Sequence, residues 1–415
     1  MDQHKKNIAL QNCNHLQIGD LIKLIENGNI TLPEFIQAGL TNTKVQELQA
    51  KIKQVESDQK RESDRLEKEK MEEENRRNLL ESRRQLIDQI LRKQIGAEKI
   101  KRAIEADFIS FNDLEAAGLN KTIITSLKHF CKTKSVTKRT TIEDLPAMEE
   151  ARTDLYFVGV PGSGKSTMLA GLLKTATEDG KLLPDPYNNA GSIYQSNLIT
   201  DLNRGVLPNA TIAGSYNYVA LSLKDENGKK HPFNIVEIPG ENYVNMFNNA
   251  EVEGILRYIK NDNKKILVFV IDSLAHDNNY SDSESPLDQN QAYTNILQMF
   301  KQNGILEKTD AIYLVANKFD TIIENYYAHD GRQYGDLGVE FLNKNFLHFI
   351  ENCKTARDES RNQFRIKILP FSIGNVVYNN IIESFNKDFS NSFMNLVIHD
   401  SFVVKGGVSK VLQTK

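Results

Sequence analysis

The sequence predicts an α/β domain with a mostly parallel sheet covered by helices on both faces, preceded by an all-helical region. Residues 1–131 are charged and show helical periodicity, whereas residues 152–415 alternate short apolar runs with amphipathic segments. One apolar run breaks into a glycine-rich loop directly before a predicted helix. Strands that alternate with helices form mostly parallel sheets, which bind ligands at the carboxyl ends of the strands.

The composition excludes several classes of protein without naming a partner. The chain has 415 residues and a formal net charge of -3, so no nucleic-acid-binding surface is indicated. Its three cysteines lie far apart, which predicts neither a disulfide framework nor a zinc site. Because no signal core and no apolar run of about 18 residues is present, we expect no transmembrane segment and a cytoplasmic location.

The helical region contains an internal repeat, in which residues 25–40 match residues 104–119. Each copy has the pattern of a helix, a turn and a second capped helix. We expect helical hairpins over about 21–48 and 99–130 that pair with each other or with a partner, because two repeats cannot form a solenoid alone. The capping residues are Thr31, Glu34 and Gly39 in the first copy and Ser110, Asp113 and Gly118 in the second.

Residues 45–94 contain no proline or glycine and are dominated by Glu, Lys, Arg and Gln, which predicts one helix about 75 Å long. Its heptad seam is apolar at both ends and mostly polar in the centre. Two interpretations stay open: a coiled coil that drives self-association, and a solvated spacer with i,i+4 charge pairs. Residues 132–151 are predicted to be a linker, and residues 152–415 a nucleotide-binding domain.

The strongest motif is the segment from Gly159 to Ser166, which fits G-x-x-x-x-G-K-[ST] between a predicted strand and a predicted helix. Its glycines let backbone N–H groups surround phosphate oxygens at a helix N-terminus. We expect Lys165 to reach the terminal phosphates and Ser166 to ligate Mg²⁺. The candidate phosphate-binding residues are Gly159, Gly162, Ser163, Gly164, Lys165, Ser166 and Thr167.

A second motif, Asn317-Lys318-Phe319-Asp320, follows the predicted strand 311–316. Asparagine can hydrogen-bond a base edge, a carboxylate can accept from adjacent N–H and NH₂ groups, and a lysine stem can lie on a purine face. Guanine offers those donors and adenine does not, so the motif indicates guanine binding. A competing pattern is the apolar run that ends at Asp272, which has the form of the Mg²⁺-associated strand of many ATPases.

Residues 152–400 resemble a Ras-like GTPase domain of the translation-factor-related class, and are most similar to bacterial double-GTPase-like and conflict-system-associated GTPases. The phosphate loop and Asn317, Lys318 and Asp320 carry this resemblance. It implies that Ser372 and the backbone of Ile373 support the base. The usual Ser-Ala-Lys of that loop is Ser-Ile-Gly here.

The resemblance also implies which residues respond to the γ-phosphate. Thr211 is the best match to the switch threonine that closes on Mg²⁺, with Ser215 as a weaker substitute. Glu237 and Gly240 match the ends of the Asp-x-x-Gly motif. Gly240 would donate its backbone N–H to the γ-phosphate, and Glu237 would stand at Mg²⁺ in place of aspartate. Glu241 stands where many members have a water-orienting glutamine.

The resulting expectation is a GTP-binding switch with GTP or GDP and Mg²⁺ as cofactors and slow or partner-stimulated hydrolysis, because Glu241 adds negative charge near the γ-phosphate. Arg204 is either an arginine finger or a surface residue. Two alternatives stay open: a non-hydrolysing nucleotide-binding scaffold, and an ATPase that uses Asp272. The expected catalytic residues are Lys165, Thr211 and Glu241, and the expected metal ligands are Ser166, Thr211 and Glu237.

Overall fold

The chain forms two compact units, Met1–Leu86 and Ile87–Lys415. This division falls inside the long helix, whereas the sequence analysis placed its main boundary at residues 132–151. The second helical repeat therefore belongs to the same unit as the nucleotide-binding domain. The computed structural model describes residues 3–133, 140–183, 189–209, 211, 214–240, 250–274, 288–328 and 330–401.

Helices make up the described part of the chain before residue 134 and alternate with strands after it. They are α1 (Gln3–Gln11), α2 (Ile18–Glu26), α3 (Leu32–Gln37), α4 (Asn42–Leu91), α5 (Ala97–Glu105), α6 (Phe111–Ala116), α7 (Lys121–Lys132), α8 (Lys165–Glu178), α9 (Ser192–Asn203), α10 (Ala250–Ile259), α11 (Gln289–Gln302), α12 (Phe319–Tyr326), α13 (Tyr334–Asn345), α14 (Leu347–Glu359) and α15 (Asp388–Ser401), with a 3₁₀ turn at Leu306–Lys308. Among the described helices, none is long and apolar enough to cross a membrane.

The strands form a seven-stranded sheet in the order β2-β3-β4-β1-β5-β6-β7 and a separate antiparallel hairpin, β8-β9. The five strands from β4 to β7 in this order are parallel, while β2 and β3 run antiparallel to their neighbours. The predicted α/β class with a mostly parallel sheet is confirmed. The strands are β1 (Thr153–Val158), β2 (Leu182–Leu183), β3 (Asn217–Lys224), β4 (Lys230–Glu237), β5 (Lys264–Asp272), β6 (Thr309–Asn317), β7 (Arg365–Pro370), β8 (Gly374–Val377) and β9 (Ile381–Phe385).

The first unit has a small core of its own, formed where α1, α2 and α3 pack around the start of α4. The predicted capping box is present at the start of α3, because Glu34 accepts from the backbone N–H of Thr31 at 2.8 Å. The buried apolar residues of this core are Cys13, Leu21, Ile30, Phe35, Leu40 and Leu48.

The long helix α4 spans Asn42–Leu91, close to the predicted 45–94. Its residues 56–82 are all exposed, and charge pairs such as Glu73 with Arg77, 2.7 Å apart, run along its surface. These contacts match the pattern of a solvated helix. Association of the helix with a second copy stays a prediction.

The second repeat packs inside the nucleotide-binding unit, with α7 against β9. The hydroxyl of Tyr378 donates to the backbone oxygen of Ile90 at 2.8 Å, and the backbone N–H of Ala97 donates to the Tyr378 oxygen at 2.8 Å. Lys93 forms an ion pair with Glu383 at 2.7 Å. The second repeat therefore packs on the β8-β9 hairpin of the same chain, and pairing of the repeats with each other or with a protein partner stays a prediction.

The sheet separates two apolar cores because alternate residues of each central strand face opposite sides. In β1, Tyr156 and Val158 belong to one core, and Leu155 and Phe157 to the other. The described part of the predicted linker packs on the first of these cores through Ile142, Leu145 and Met148. Because helices cover both faces of the sheet, the carboxyl ends of the strands are where a ligand can bind.

Candidate functional site

The glycine-rich loop connects β1 to α8, as its sequence predicts. Gly162 and Gly164 have positive φ values of 76° and 88°, which a residue with a side chain adopts only with strain. Lys165 is the first residue of α8 and is 7% exposed. Its ammonium donates to the backbone oxygens of Gly159 at 2.9 Å and Val160 at 3.2 Å. The loop therefore holds a buried cation at its centre.

All three predicted metal ligands meet at this loop, although they come from distant parts of the chain. The hydroxyls of Ser166 and Thr211 share a hydrogen bond of 2.9 Å. Glu237 Oε1 accepts from the Ser166 hydroxyl and from the Thr211 hydroxyl, the latter at 3.3 Å. Two hydroxyls and a carboxylate form the all-oxygen donor set that Mg²⁺ prefers, so these side chains fit that ion.

Two residues that the sequence analysis did not identify hold the other oxygen of Glu237. The Tyr194 hydroxyl donates to Oε2 at 2.6 Å, and the Asn217 side-chain amide donates to the same atom at 3.2 Å. Burial, together with the charge of Glu237, raises the pKa of Tyr194 well above its usual range, so this hydroxyl stays protonated. Tyr194 lies on a helix and Asn217 on β3, and no motif marks either of them.

Gly240 lies directly against the phosphate loop. A Cβ atom at this position would be 2.4 Å from the Pro161 nitrogen and 2.7 Å from the Gly159 oxygen, both of which are backbone atoms. Only glycine allows this approach. Gly240 thus contacts the phosphate loop, and donation of its backbone N–H to a γ-phosphate stays a prediction.

Asn317 connects the base-reading motif to the phosphate loop. Its side-chain amide donates to the backbone oxygen of Ser163 at 2.8 Å, and the same amide nitrogen would be 2.4 Å from a Cβ atom on Gly164. Asn317 is the last residue of β6 and is 4% exposed. The two motifs found in the sequence are therefore parts of one site.

Asp272 lies at the base-reading end of the sheet, opposite Asn317 in the pairing of β5 with β6. Its Oδ2 accepts from the Lys318 ammonium at 2.6 Å, and its Oδ1 accepts from the backbone N–H of Leu274 at 3.1 Å. Glu237, and not Asp272, contacts Ser166. This geometry places the candidate metal ligand on β4 and disfavours the ATPase interpretation.

The loop that was expected to support the base lies beside Asp320. Ser372 hydrogen-bonds the Asp320 carboxylate and accepts from the backbone N–H of Gly374 at 3.0 Å. Burial raises the pKa of Asp320 above its usual value, while the hydrogen bond from Ser372 acts in the opposite direction. Ile373 is 5% exposed, and its backbone oxygen accepts from Asn386 at 2.9 Å.

A cleft of about 340 Å³ opens over the phosphate loop. Besides the predicted residues it is lined by Asn380, which follows β8 and was not anticipated from the sequence. The backbone oxygen of Asn380 accepts from the N–H of Leu207 at 2.8 Å, in the segment that leads to Thr211. The predicted residues that line the cleft are Gly162, Gly164, Lys165, Ser166, Thr167, Thr211, Glu237 and Gly240.

Two other candidates from the sequence lie elsewhere, and a third is not among the described residues. Ser215 accepts from the backbone N–H of Thr140 at 3.1 Å, so its hydroxyl is used away from Glu237. Arg204 is an exposed residue at the end of α9, which matches the surface interpretation. Glu241, the candidate water-orienting residue, lies outside the described residues.

One family model matches a part of the chain. Residues 156–304 match the family model described as Double-GTPase 1. No curated protein matches the chain.

Two solved structures share low similarity with the chain. Nucleolar GTP-binding protein 1 of Plasmodium falciparum is 12% identical at a TM-score of 0.30, over 62% of this chain and 90% of that one. The GTP-bound GTPase-like domain of Ski7 from S. cerevisiae is 16% identical at a TM-score of 0.31, over 61% of this chain and 51% of that one. At TM-scores of this size, neither similarity supports an argument about the fold or the function of this chain.

Proposed function

We propose that the chain contains a P-loop GTPase domain of the double-GTPase type and binds GTP, which the family match over residues 156–304 supports. From this premise we propose that it is a GTP-dependent switch with slow or partner-stimulated hydrolysis of GTP to GDP. The nucleotide state would be coupled to the helical module, and residues 1–131 would bind a protein partner or a second copy.

The observation that carries this proposal is the meeting of Ser166, Thr211 and Glu237 at the phosphate loop. Thr211 lies in the segment before β3 and Glu237 at the end of β4, so both segments are positioned to respond to a γ-phosphate. Ser166, Thr211 and Glu237 would hold Mg²⁺, which neutralises phosphate charge when bound. Lys165 adds a second positive charge at the terminal phosphates.

Base selection rests on the other end of the same site. Asn317 ends β6 and Asp320 follows it, while Ser372 and Ile373 follow β7, so the two proposed base-binding segments extend from neighbouring strands of the parallel sheet. The Asp320 carboxylate would accept the paired donors of guanine. Lys318 would lie over the base, and its ion pair with Asp272 fixes the direction of its stem.

The β8-β9 hairpin is the route that we propose for coupling to the helical repeat. Gly205, which precedes Thr211 in the chain, accepts at its backbone oxygen from the N–H of Ile382 at 2.9 Å. A Cβ atom on Gly205 would lie 2.3 Å from the hydroxyl of Ser126 on α7. Movement of the Thr211 segment on nucleotide binding would therefore displace both β9 and α7.

Binding titrations with GTP, GDP and ATP test the guanine assignment, with Lys165→Ala as the variant. Loss of the buried cation should weaken GTP binding by about tenfold or more, because charge-assisted hydrogen bonds to phosphate contribute about 1.5–3 kcal/mol each. Lys354→Ala, which removes a half-exposed lysine that is paired with Glu351 outside the site, should bind GTP like the wild type. Equal affinity for ATP and GTP would contradict the proposal.

Multiple-turnover phosphate release separates the switch from a nucleotide-binding scaffold. We expect the wild type to release phosphate slowly and the Lys165→Ala variant to release none above background. If wild type and variant release phosphate equally at every protein concentration, the protein does not hydrolyse GTP unaided, and the scaffold becomes the better description unless a partner stimulates release.

A further inference from the structure

Glu237 presents its two carboxylate oxygens to two different sets of partners. Oε1 faces the Ser166 and Thr211 hydroxyls at the phosphate loop, and Oε2 faces Tyr194 and Asn217 on the opposite side. We propose that Tyr194 and Asn217 are positioning residues, which fix the Glu237 carboxylate so that Oε1 remains directed at the metal position. This inference rests on the proposed function, because it concerns the same candidate Mg²⁺ site.

A buried glutamate needs such support to serve as a rigid ligand. Its side chain has one more rotatable bond than aspartate, and ordering it costs conformational entropy. Glu237 is 1% exposed, so water does not solvate a misplaced carboxylate there. Two donors on Oε2, at 2.6 Å and 3.2 Å, satisfy that oxygen and restrict rotation of the carboxylate.

The backbone around Tyr194 is arranged to bring its hydroxyl to this position. Gly191, directly before α9, has a φ of 77°, and a Cβ atom there would lie 1.8 Å from the backbone oxygen of Tyr218. The backbone N–H of Ala220 donates to the Ala190 oxygen at 3.2 Å. The start of α9 is therefore held against β3, one turn before Tyr194.

Asn217 reaches Glu237 through the sheet itself. It is the first residue of β3 and is paired directly with Glu237 in the antiparallel register of β3 with β4. Side chains of directly paired residues point to the same face of a sheet and lie about 5 Å apart at Cβ. Support for the carboxylate thus comes from a helix and a strand that are both fixed to β3 or β4.

The contacts of Glu237 also predict the effect of a shorter side chain at this position. Aspartate at position 237 carries the same carboxylate on a side chain one methylene shorter, so the carboxylate would lie closer to the β4 backbone and could not keep its present contacts with both Ser166 and Tyr194. Glu237→Asp should therefore weaken Mg²⁺ binding in this protein, even though aspartate is the residue expected from the resemblance to Ras-like GTPases.

The experiment follows dissociation of a fluorescent GDP analogue from the full-length protein as a function of free Mg²⁺. The variant is Tyr194→Phe, which keeps the ring and removes the hydroxyl. The matched control is Tyr258→Phe, which removes a hydroxyl that donates to the Pro146 oxygen at 2.7 Å, outside the site. The dissociation rate in excess EDTA shows how tightly the protein holds the nucleotide without Mg²⁺.

We expect the Mg²⁺ concentration for half-maximal slowing to rise about tenfold or more in Tyr194→Phe, which corresponds to the loss of one hydrogen bond to a charged group. The EDTA rate should stay within about twofold of the wild type, and Tyr258→Phe should match the wild type throughout. In a Glu237→Asp background, Tyr194→Phe should add little, because the shorter carboxylate no longer reaches both partners.

Other results would overturn the inference. A Tyr194→Phe curve that coincides with the wild type contradicts the positioning role. If Tyr194→Phe raises the dissociation rate in EDTA as much as the rate in Mg²⁺, Tyr194 has a general structural role instead. If the dissociation rate of the GDP analogue from the wild type does not depend on Mg²⁺, both the proposed metal site and this inference are refuted. If the wild type binds ATP more tightly than GTP, only the guanine assignment is refuted.

Discussion

At the scale of single residues, the site depends on side chains that each join two segments. Asn317 connects β6 to the phosphate loop through the Ser163 oxygen, and Glu237 connects β4 to Ser166 and Thr211. Each of these side chains is almost completely buried. Because buried polar groups are costly when unpaired, loss of one partner should disturb the other.

Asp320→Asn should exchange guanine preference for xanthine preference. The carboxylate accepts two donors of guanine, whereas an asparagine amide can both donate and accept and so suits the carbonyl oxygen of xanthine. We expect GTP affinity to fall roughly 10- to 100-fold and affinity for the xanthine nucleotide to rise. Competition titrations with both nucleotides measure this, and Asp336→Asn, on the exposed start of a different helix, is the matched control.

The same residue should make GTP binding sensitive to acid. Burial raises the pKa of Asp320, so its carboxylate becomes protonated at a higher pH than an exposed aspartate. Only the ionised form accepts both guanine donors, so GTP affinity is present above this pKa and falls as the pH is lowered through it. Titrations at decreasing pH should show this loss in the wild type and a weaker one in Asp320→Asn.

At the scale of elements, the β8-β9 hairpin contacts three parts of the molecule. Its first residue, Gly374, is the last residue of the loop that is proposed to support the base, and Asn380 in its turn contacts the segment that leads to Thr211. The same turn contacts Ile90 and Ala97 through Tyr378. We therefore propose this hairpin as the route by which a change at the nucleotide would reach the helical repeat.

Tyr378→Phe should weaken that coupling and leave nucleotide binding intact. The substitution keeps the ring and removes the hydroxyl that donates to Ile90. We expect GTP to alter hydrogen exchange in residues 97–131 of the wild type, and to alter it by less than half as much in the variant. Tyr258→Phe should respond like the wild type.

An equal GTP-dependent change in Tyr378→Phe and wild type would show that the hydroxyl contact does not carry the coupling. The absence of any GTP-dependent change in wild-type residues 97–131 would contradict coupling to the second repeat itself. Titration of each variant with GTP distinguishes both results from a loss of nucleotide binding.

At the scale of the whole molecule, the second helical repeat belongs to the same compact unit as the nucleotide-binding domain. Helix α7 packs on β9, and its buried residues include Ile123, Leu127 and Phe130. The first repeat has its own core, which includes Phe35. The two repeats have similar sequences but lie in different compact units, because the second directly precedes the nucleotide-binding domain in the chain and packs on it.

Two fragments test this organisation. Residues 87–415 should fold and bind GTP like the full chain, whereas residues 132–415 lack the helices that cover β9. Exposing several apolar side chains costs about 1.5–3 kcal/mol each, so the shorter fragment should melt roughly 10 °C lower. Calorimetry and GTP titration check both properties, and equal melting temperatures would show that α5 to α7 do not stabilise the domain.

The sequence alone determined the fold class, the phosphate loop, the base-reading motif and the long helix, because each depends on local patterns. Glycine spacing, apolar runs and helical periodicity are read along the chain without knowledge of its neighbours in space. Thr211 and Glu237 were identified as candidate Mg²⁺ ligands only through the resemblance to Ras-like GTPases.

Only the tertiary structure decided which side chains support those candidates. Tyr194, Asn217 and Asn380 lie in segments without a motif, and they reach the site through strand pairing and close glycine contacts. The structure also placed Glu237 rather than Asp272 beside Ser166, and docked the second repeat on β9. Such contacts join residues that are far apart in the chain, so no local pattern encodes them.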